Sequence, residues 1–372
     1  MTNASIYING LGNISPQKTS DSSRFLDDPL YFEANRLTCL DPGYKDYIPA
    51  DMIRRMGRII RMGVAASKIC LKDALEGSGA GEIIPNAIIT GTGLGCIEDT
   101  EKFLASMIRN NEEFLTPTSF IQSTHNTVAG QIALLLGCHG YNFTFVHRGI
   151  SFESALTDAL MQIGSGDLEN ALVGGTDEVT ANSFAIMSRL GFWKRKPVST
   201  ERLLSDNQRG AIAGEGAAFF FLGNKKTDHT YARLAGVETF LKPGSGSEVI
   251  DRLHTFLLSH SLTTDHIDLV VLGLNGDPRS DEIYRQVAGA VFRRKALAWF
   301  KHLCGEYHTA SSFGMWLAAM AIKKQTVPDA TRLKNAPGLP KEVNRDNNPI
   351  HNVLIYNHYR NTNHAFILLT KD

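Results

Sequence analysis

Long apolar runs are missing from this chain: nowhere do about eighteen apolar residues follow one another, so no transmembrane helix is expected. The first residues, MTNASIYINGLG, lack a basic segment followed by an apolar stretch, and the expectation is a cytoplasmic protein. An excess of either charge is missing as well, since Lys plus Arg and Asp plus Glu both number 38. No global field then draws the chain to nucleic acid or to a membrane surface, and neither is an expected partner. The few cysteines, Cys39, Cys70, Cys96, Cys138 and Cys304, form no C-x-x-C pair, which argues against a disulfide framework or a zinc site and leaves reduced, buried thiols. Cys304 and His308 stand four apart, but two ligands do not make a metal site, and no metal is expected. G-x-G-x-x-G and the Walker lysine are absent, and no cofactor is expected.

What is present is apolar content, 43% of 372 residues, enough for two domains or one large double unit with a sizeable core. The chain centres on Tyr141 to Glu178. Phe143 and Phe145 alternate as a short strand and a sharp turn follows at Gly149. Then Phe152, Ala155, Leu156, Ala159, Leu160 and Ile163 recur at helical spacing until Gly164-Ser165-Gly166 stops the helix. A side chain at such a corner meets the unpaired N–H groups and positive end of the helix, where a nucleophile's pKa is lowered and an oxyanion is held. The corner here is a glycine.

Before this stretch the pattern predicts a strand at Ile6 to Gly10, a helix from Arg54 to Leu75 and a strand at Ala87 to Thr90. That strand ends in GTGLG, read as close backbone packing, and a polar loop from Thr116 then feeds a small-residue helix. The basic face Arg54, Arg55, Arg58 and Arg61 reads as solvated. After Gly174-Gly175 comes a loop-rich region, and SDNQRGAIAGEGAAFFFL then leads into an apolar strand. From Ala232 the layout starts again: a strand, a helix from Ser247, a buried strand from Ile267, helices from Asp281 and Ser311, and strands at Val353 to Tyr356 and Ala365 to Leu369. The fold class is α/β, with two similar halves expected at residues 1–231 and 232–372.

Several segments resemble those of the β-ketoacyl synthases, the condensing enzymes of fatty acid and polyketide assembly. GTGLG at Gly91, VAGQIALLLGCHGYNFTF at Val128, ALVGGTDE at Ala171 and DNQRGAIAGEGAA at Asp206 are similar to the family's GTG-x-G, A-x-x-x-A-x-x-x-G-x-x-G-P-N, A-x-x-GG-x-E and D-x-x-R-D-G-x-x-x-GEGA. The resemblance covers nearly the whole chain, and the order and spacing of the segments carry it. It implies the thiolase-like fold, two similar α/β halves forming a layered αβαβα architecture.

The family's chemistry uses a corner cysteine to carry the acyl chain and two histidines to stabilise the developing enolate. Ungapped matching through GYNFTFVHRGISFESAL puts the cysteine position on Gly149. Counting back from Ser280-Asp281 puts the first histidine on Gly273, and KHLCGEYHTASS keeps Lys301 and Gly305 but has Glu306 at the second. No catalytic residue is expected. An ionised Glu306 would repel an enolate, so its expected role is structural: an ion pair with Lys301 or a hydrogen bond. NHYRNTN replaces the family's glycine-rich G-F-G-G-T-N gate, with Tyr359 on the gating phenylalanine and His358 and Arg360 on glycines, which narrows or closes the acyl entrance. His147, His302, His308 and His358 lie near these positions in sequence terms and read as satisfied or solvent-facing.

The resemblance implies a catalytically silent homologue that pairs with an active ketosynthase subunit as a heterodimer, like the chain-length factors of type II polyketide and of aryl polyene or flexirubin-type systems. Pairing with itself as a homodimer is the other form, and acyl carrier protein is a further expected partner. Contact is expected through the strand Phe143 to Val146, and the segment Ser119 to Thr127 is expected to line the partner's tunnel. Ser119, Gln122, Thr124, Thr127, Tyr359 and Arg360 are the candidate binding residues. The alternatives are a family acyltransferase or decarboxylase with altered catalytic residues, hydrolysis at Ser151 or Ser154, and a carrier-protein scaffold docking on Arg54, Arg55, Arg58 and Arg61. Ser151 itself reads as a helix-start residue.

Overall fold

The computed structural model describes residues 5–21, 23–76, 81, 83–115, 117–334, 336–341 and 348–371; Thr116, where the polar loop was expected to begin, lies outside them. Ten strands share one sheet among these residues. Five come from the first part of the chain: β1 (Tyr7–Ile14), β2 (Ala87–Gly91), β3 (Tyr141–Phe145), β4 (Asn170–Asp177) and β5 (Gly216–Gly223). Five follow: β6 (Ala232–Leu241), β7 (Leu269–Leu272), β8 (Ala296–Trp299), β9 (Asn352–Tyr359) and β10 (Asn363–Thr370). Their order is β8-β7-β9-β10-β6-β1-β5-β4-β2-β3. Within each set of five the order is therefore third, second, fourth, fifth, first.

The directions repeat too. Strand β2 is parallel to β3 and β4, as β7 is to β8 and β9, while β5 and β10 run antiparallel to both of their neighbours within the half. The two runs meet where Tyr7 and Ile8 of β1 pair with Arg233 and Ala232 of β6.

Helices fill the layers. α1 (Arg58–Glu76) packs on one face of the first run together with α4 (Thr127–Leu136), where Ile59, Ile60, Val64 and Ala65 meet Val128 and Ile132. α2 (Ile97–Arg109) and α3 (Pro117–Gln122) pack on one another at the surface. α5 (Ser151–Ser165) crosses from β3 to β4 and buries Phe152, Leu156 and Ile163. α6 (Ala181–Arg189) follows, and α7 (Gly246–Ser259) and α8 (Pro278–Val291) cover the outer face of the second run. A single turn, α9 (Lys301–Cys304), precedes α10 (Ser311–Lys324), which is buried on every side from Ser311 to Ile322, as its lack of a polar stripe demands. α5 and α10 share one apolar cluster and form the central layer of an αβαβα stack. No helix among the described residues is long and apolar enough to cross a membrane.

Three local readings need correction. The segment from residue 117 is not a loop. Pro117 opens α3 with its φ already set, and Ser123 and Thr124 hydroxyls return to the carbonyls of Phe120 and Ile121, so a short polar helix is satisfied locally. The helix expected from Arg54 starts at Arg58, with Arg54 and Arg55 in a turn. The Arg58 guanidinium is not solvated: Nη1 meets the buried Glu215 Oε1 at 2.5 Å, and Glu215 also accepts the backbone N–H groups of Cys39 and Val179. Arg61 lies 5.5 Å from the Tyr44 ring centre, so half of the proposed carrier dock faces inward.

Candidate functional site

The corner between β3 and α5 is tightly wound. Arg148 sits at φ 53, in the left-handed region that costs a side chain about 1 kcal/mol, and Gly149 behind it is buried. The neighbouring wall is the end of β9. A Cβ built on residue 149 would stand 2.1 Å from Tyr359 Cβ and 2.7 Å from its Cγ. The position that local matching assigns to the nucleophile is thus closed by Tyr359, which in turn lies against His308, ring centres 4.7 Å apart. NHYRNTN forms a tight hairpin whose tip holds Arg360 at φ 56 and Asn361 at φ 51.

The other two positions are filled differently. A Cβ at Gly273 would meet Asn357 Oδ1 at 2.3 Å and the Tyr284 hydroxyl at 2.6 Å. Glu306 is buried, and its Oε2 accepts from Lys301 Nζ at 2.8 Å and from Asn275 Nδ2 at 2.7 Å. The ion pair with Lys301 and the structural hydrogen bond are both present. Lys301 Nζ also donates to His358 O at 3.3 Å, which ties the α9 turn to the hairpin. Glu306 is presented by Gly305, whose φ is 78 and on which a Cβ would lie 2.5 Å from the Gly214 backbone, so a side chain is excluded. A short backbone ladder, Glu306 N to Ile212 O and Gly214 N to Glu306 O, fixes it to the GEG segment.

Asp177, which sequence reasoning passed over within ALVGGTDE, staples the glycine turn to this wall. One oxygen accepts from Thr92 Oγ1 and Gly93 N, the other from Thr309 N and Oγ1. The GTGLG turn packs as closely as expected: a Cβ at Gly91 would lie 2.5 Å from the Ser151 backbone and one at Gly93 2.1 Å from the His308 ring.

The four histidines separate. His358 is buried and neutral, pushed well below its usual range by burial and by His364 and Lys301; its Nε2–H donates to Ser280 O. His302 is buried against Trp299 and donates to Ala330 O, its pKa pushed down to about 3 by burial. His147 pairs with Ser154, and His308 lies against Tyr359 at the corner's wall. Both hydroxyls have backbone acceptors: that of Ser151 donates to Arg148 O, and that of Ser154 donates to Ile150 O. All five cysteines are free and buried, and no cluster of three or more metal-ligating side chains occurs among the described residues.

Tyr359, Arg360 and Glu306 share one recess of about 280 Å³ with Asn275, Trp193 and Ser280. Ser119, Gln122, Thr124 and Thr127 form a separate group on α3 and the start of α4. There Gln122 donates to Arg55 O, and Thr127 is buried with its hydroxyl 2.8 Å from that of Thr124. The exposed large apolar side chains of this segment are Phe120 and Ile121, and Thr124 is exposed beside them. Aromatic residues also project from the sheet edge: Tyr141 and Phe143 of β3 are stacked and exposed, with Val146 beyond them. Glu153, one turn into α5, is fully buried, and neither carboxylate oxygen has a hydrogen-bond partner of ordinary length. Burial pushes its pKa up to about 7, only partly offset by the Ser311 hydroxyl.

With this architecture and these segments, the chain belongs to the β-ketoacyl synthase family: the model of the family's N-terminal domain matches residues 13–228. Its fold is thiolase-like. Among particular relatives, 3-oxoacyl-[acyl-carrier-protein] synthase 2 of Staphylococcus aureus is 21% identical over 207 residues, which cover 52% of this chain and 50% of that protein. The chain spans about half the length of the curated relatives it matches. Two solved structures are similar over the whole fold. One is the ishigamide ketosynthase/chain length factor, with TM-score 0.80, 19% identity and 100% of both chains covered. The other is a ketosynthase in complex with its chain length factor from Xenorhabdus doucetiae, with TM-score 0.78, 16% identity and 99% and 98% covered.

Proposed function

We propose that this protein is a non-catalytic ketosynthase homologue, a chain-length-factor-like partner of an active β-ketoacyl-[acyl carrier protein] synthase in fatty acid or aryl-polyene-type polyketide synthesis. The observation that carries this reading is the filled corner, where the 2.1 Å approach of Tyr359 leaves no room for a nucleophile's Cβ at residue 149. Stabilising an enolate takes two donors, and in their places stand Gly273, closed over by Asn357 and Tyr284, and Glu306, an acceptor bound to Lys301.

The partner reading is supported by the exposed aromatic row of β3 and by the exposed apolar side chains Phe120 and Ile121. Both solved relatives named above are structures of ketosynthases with chain length factors. The test is co-expression with a ketosynthase whose Cys-His-His set is intact, followed by light scattering and product mass spectrometry. A heteromeric complex whose product length changes with this subunit is expected. A monodisperse monomer unchanged by any candidate ketosynthase overturns the reading.

A further inference from the structure

A second recess of about 280 Å³ opens where the start of β6 meets the end of α10, and none of its lining residues belongs to the corner or to the β3 edge. We infer that it binds a phosphate dianion, free or carried on a small organic molecule. The inference stands apart from the partner-subunit reading, because it concerns this chain alone and needs no second subunit.

Charge sets this recess apart. The chain as a whole is balanced, 38 cationic residues against 38 acidic ones, yet Lys226, Arg233, Lys323 and Lys371 line this one recess and no acidic residue does. They arrive from separate segments: the turn after β5, the start of β6, the last turn of α10 and the residue after β10. The end of α10 accounts for one of them, since a cation in a last helical turn offsets the carbonyl end of the dipole, and Lys323 Nζ is held there by Asp228 O at 3.1 Å and Thr230 O at 3.2 Å. Lys226 has a partner of its own. Arg233 and Lys371 have no carboxylate partner among the described residues. The nearby acids are engaged on the other side of Tyr231: Asp73 is buried and accepts from Leu11 N–H, the Tyr231 hydroxyl and His229, and Glu76 acts on that hydroxyl without lining the recess. Grouped like charges without a counter-ion repel one another, and an anion in their midst removes that cost.

The kinds of cation decide the kind of anion. Arg233 stands in the sheet between Tyr7 of β1 and Thr370 of β10, so its backbone is fixed from both sides, and its guanidinium offers a planar fork of donors. Lys323 keeps one ammonium proton beyond its two carbonyl partners, and Lys371 is an exposed point charge. A phosphate carries close to two charges at neutral pH and presents three terminal oxygens, so it can meet a fork and two point charges together. A carboxylate, with one charge and two oxygens, leaves part of the set unanswered. The apolar part of the wall, Tyr231 with Ala232 and Ile322, gives a short organic body a surface to rest on.

The experiment is calorimetric titration of the full chain at low ionic strength with inorganic phosphate, with glycerol 3-phosphate and with acetate, a singly charged acid. Saturable binding of a phosphate probe, about tenfold or more tighter than acetate, is expected. Whichever phosphate probe binds more tightly tells a free ion from an ester, and either result supports the site. Arg233→Gln and Lys371→Gln should each weaken binding by about fivefold to tenfold, while Lys72→Gln, which removes an exposed α1 cation outside the recess, should change it by less than about twofold. Circular dichroism melts of each variant without probe establish that it is folded. Absence of saturation with both phosphate probes, equal affinity for acetate, or losses in folded Lys72→Gln as large as those in Arg233→Gln and Lys371→Gln overturns the proposal, the last by showing diffuse surface charge. None of these results bears on assembly with a ketosynthase, which is measured separately.

Discussion

Strand β3 ends the sheet on one side and strand β8 on the other, each the third strand of its half. Beside β8 the chain covers itself: Ala298 bridges Arg332 in antiparallel fashion, and Leu333 N–H donates to Leu297 O at 3.0 Å, leaving Leu297, Ala298 and Trp299 buried. Beside β3 no described strand pairs with the outer side, and Phe143 is 46% exposed between the flanking helices α4 and α5. The crossover helices that follow differ as well. α10 holds no charged residue in its buried stretch, whereas α5 buries Glu153. Equivalent positions in one topology thus carry opposite surface chemistry, and the aromatic one is left open among the described residues, a hazard for an apolar edge.

The largest effect that would separate the two edges is on stability. Leu297→Asp places a carboxylate beneath the covered edge and should cost about 4 kcal/mol or more, read as a lost or strongly lowered thermal transition. A fully stable variant would mean that β8 is open. Next is Glu153→Gln, which should make the first crossover resemble the second. The native carboxyl has a folded pKa raised from 4.5 to about 7, so its neutral form is the one the fold tolerates. The wild type therefore loses stability relative to the variant as pH rises from 4.5 through about 7, by about 3 kcal/mol at the upper limit, and the two converge below that window. Denaturation midpoints at several pH values check this, and parallel curves would place the proton elsewhere.

Phe143→Asp on the bare edge should leave stability within about 0.5 kcal/mol but weaken association by about 2 kcal/mol, roughly thirtyfold in dissociation constant. Sedimentation of the complex decides between them. The smallest effect belongs to the corner that joins the bare edge to its crossover. Gly149→Cys should cost about 1 to 2 kcal/mol by overpacking against Tyr359 and give a thiol slow to alkylate, while adding Tyr359→Gly should restore labelling. Rapid labelling of the single variant would show that Tyr359 yields readily.

Much of this was readable in the residues, and the exceptions have physical causes. The α/β layering, the central crossover with Gly149 at its start and the close-packed GTGLG turn follow from periodicity and glycine placement. Strand β8 escaped because four residues are too few to show a period. Helix α6 lay inside a stretch read as loop, although Thr180 and Ser183 form a reciprocal cap at its start. At the site, local matching singled out residues 149 and 273, but could not say that Tyr359 and Asn357 close the space beside them. Such contacts join residues more than eighty positions apart and leave no local signal. The same limit hid Asp177, whose four hydrogen bonds reach both Thr92 and Thr309. Arg58 read as one of four equivalent cations because its partner, Glu215, lies 157 residues along the chain.

A sheet that is capped at one end by its own 331–333 segment and bare at the other has a valence of one. Edge-to-edge addition of a second copy, or of another chain built on the same plan, uses the open end of both and leaves none for a third. Stoichiometry through this surface is bounded at two by connectivity alone, before any side chain is considered, and the self-capping of β8 is what denies the sheet a route to open-ended fibres.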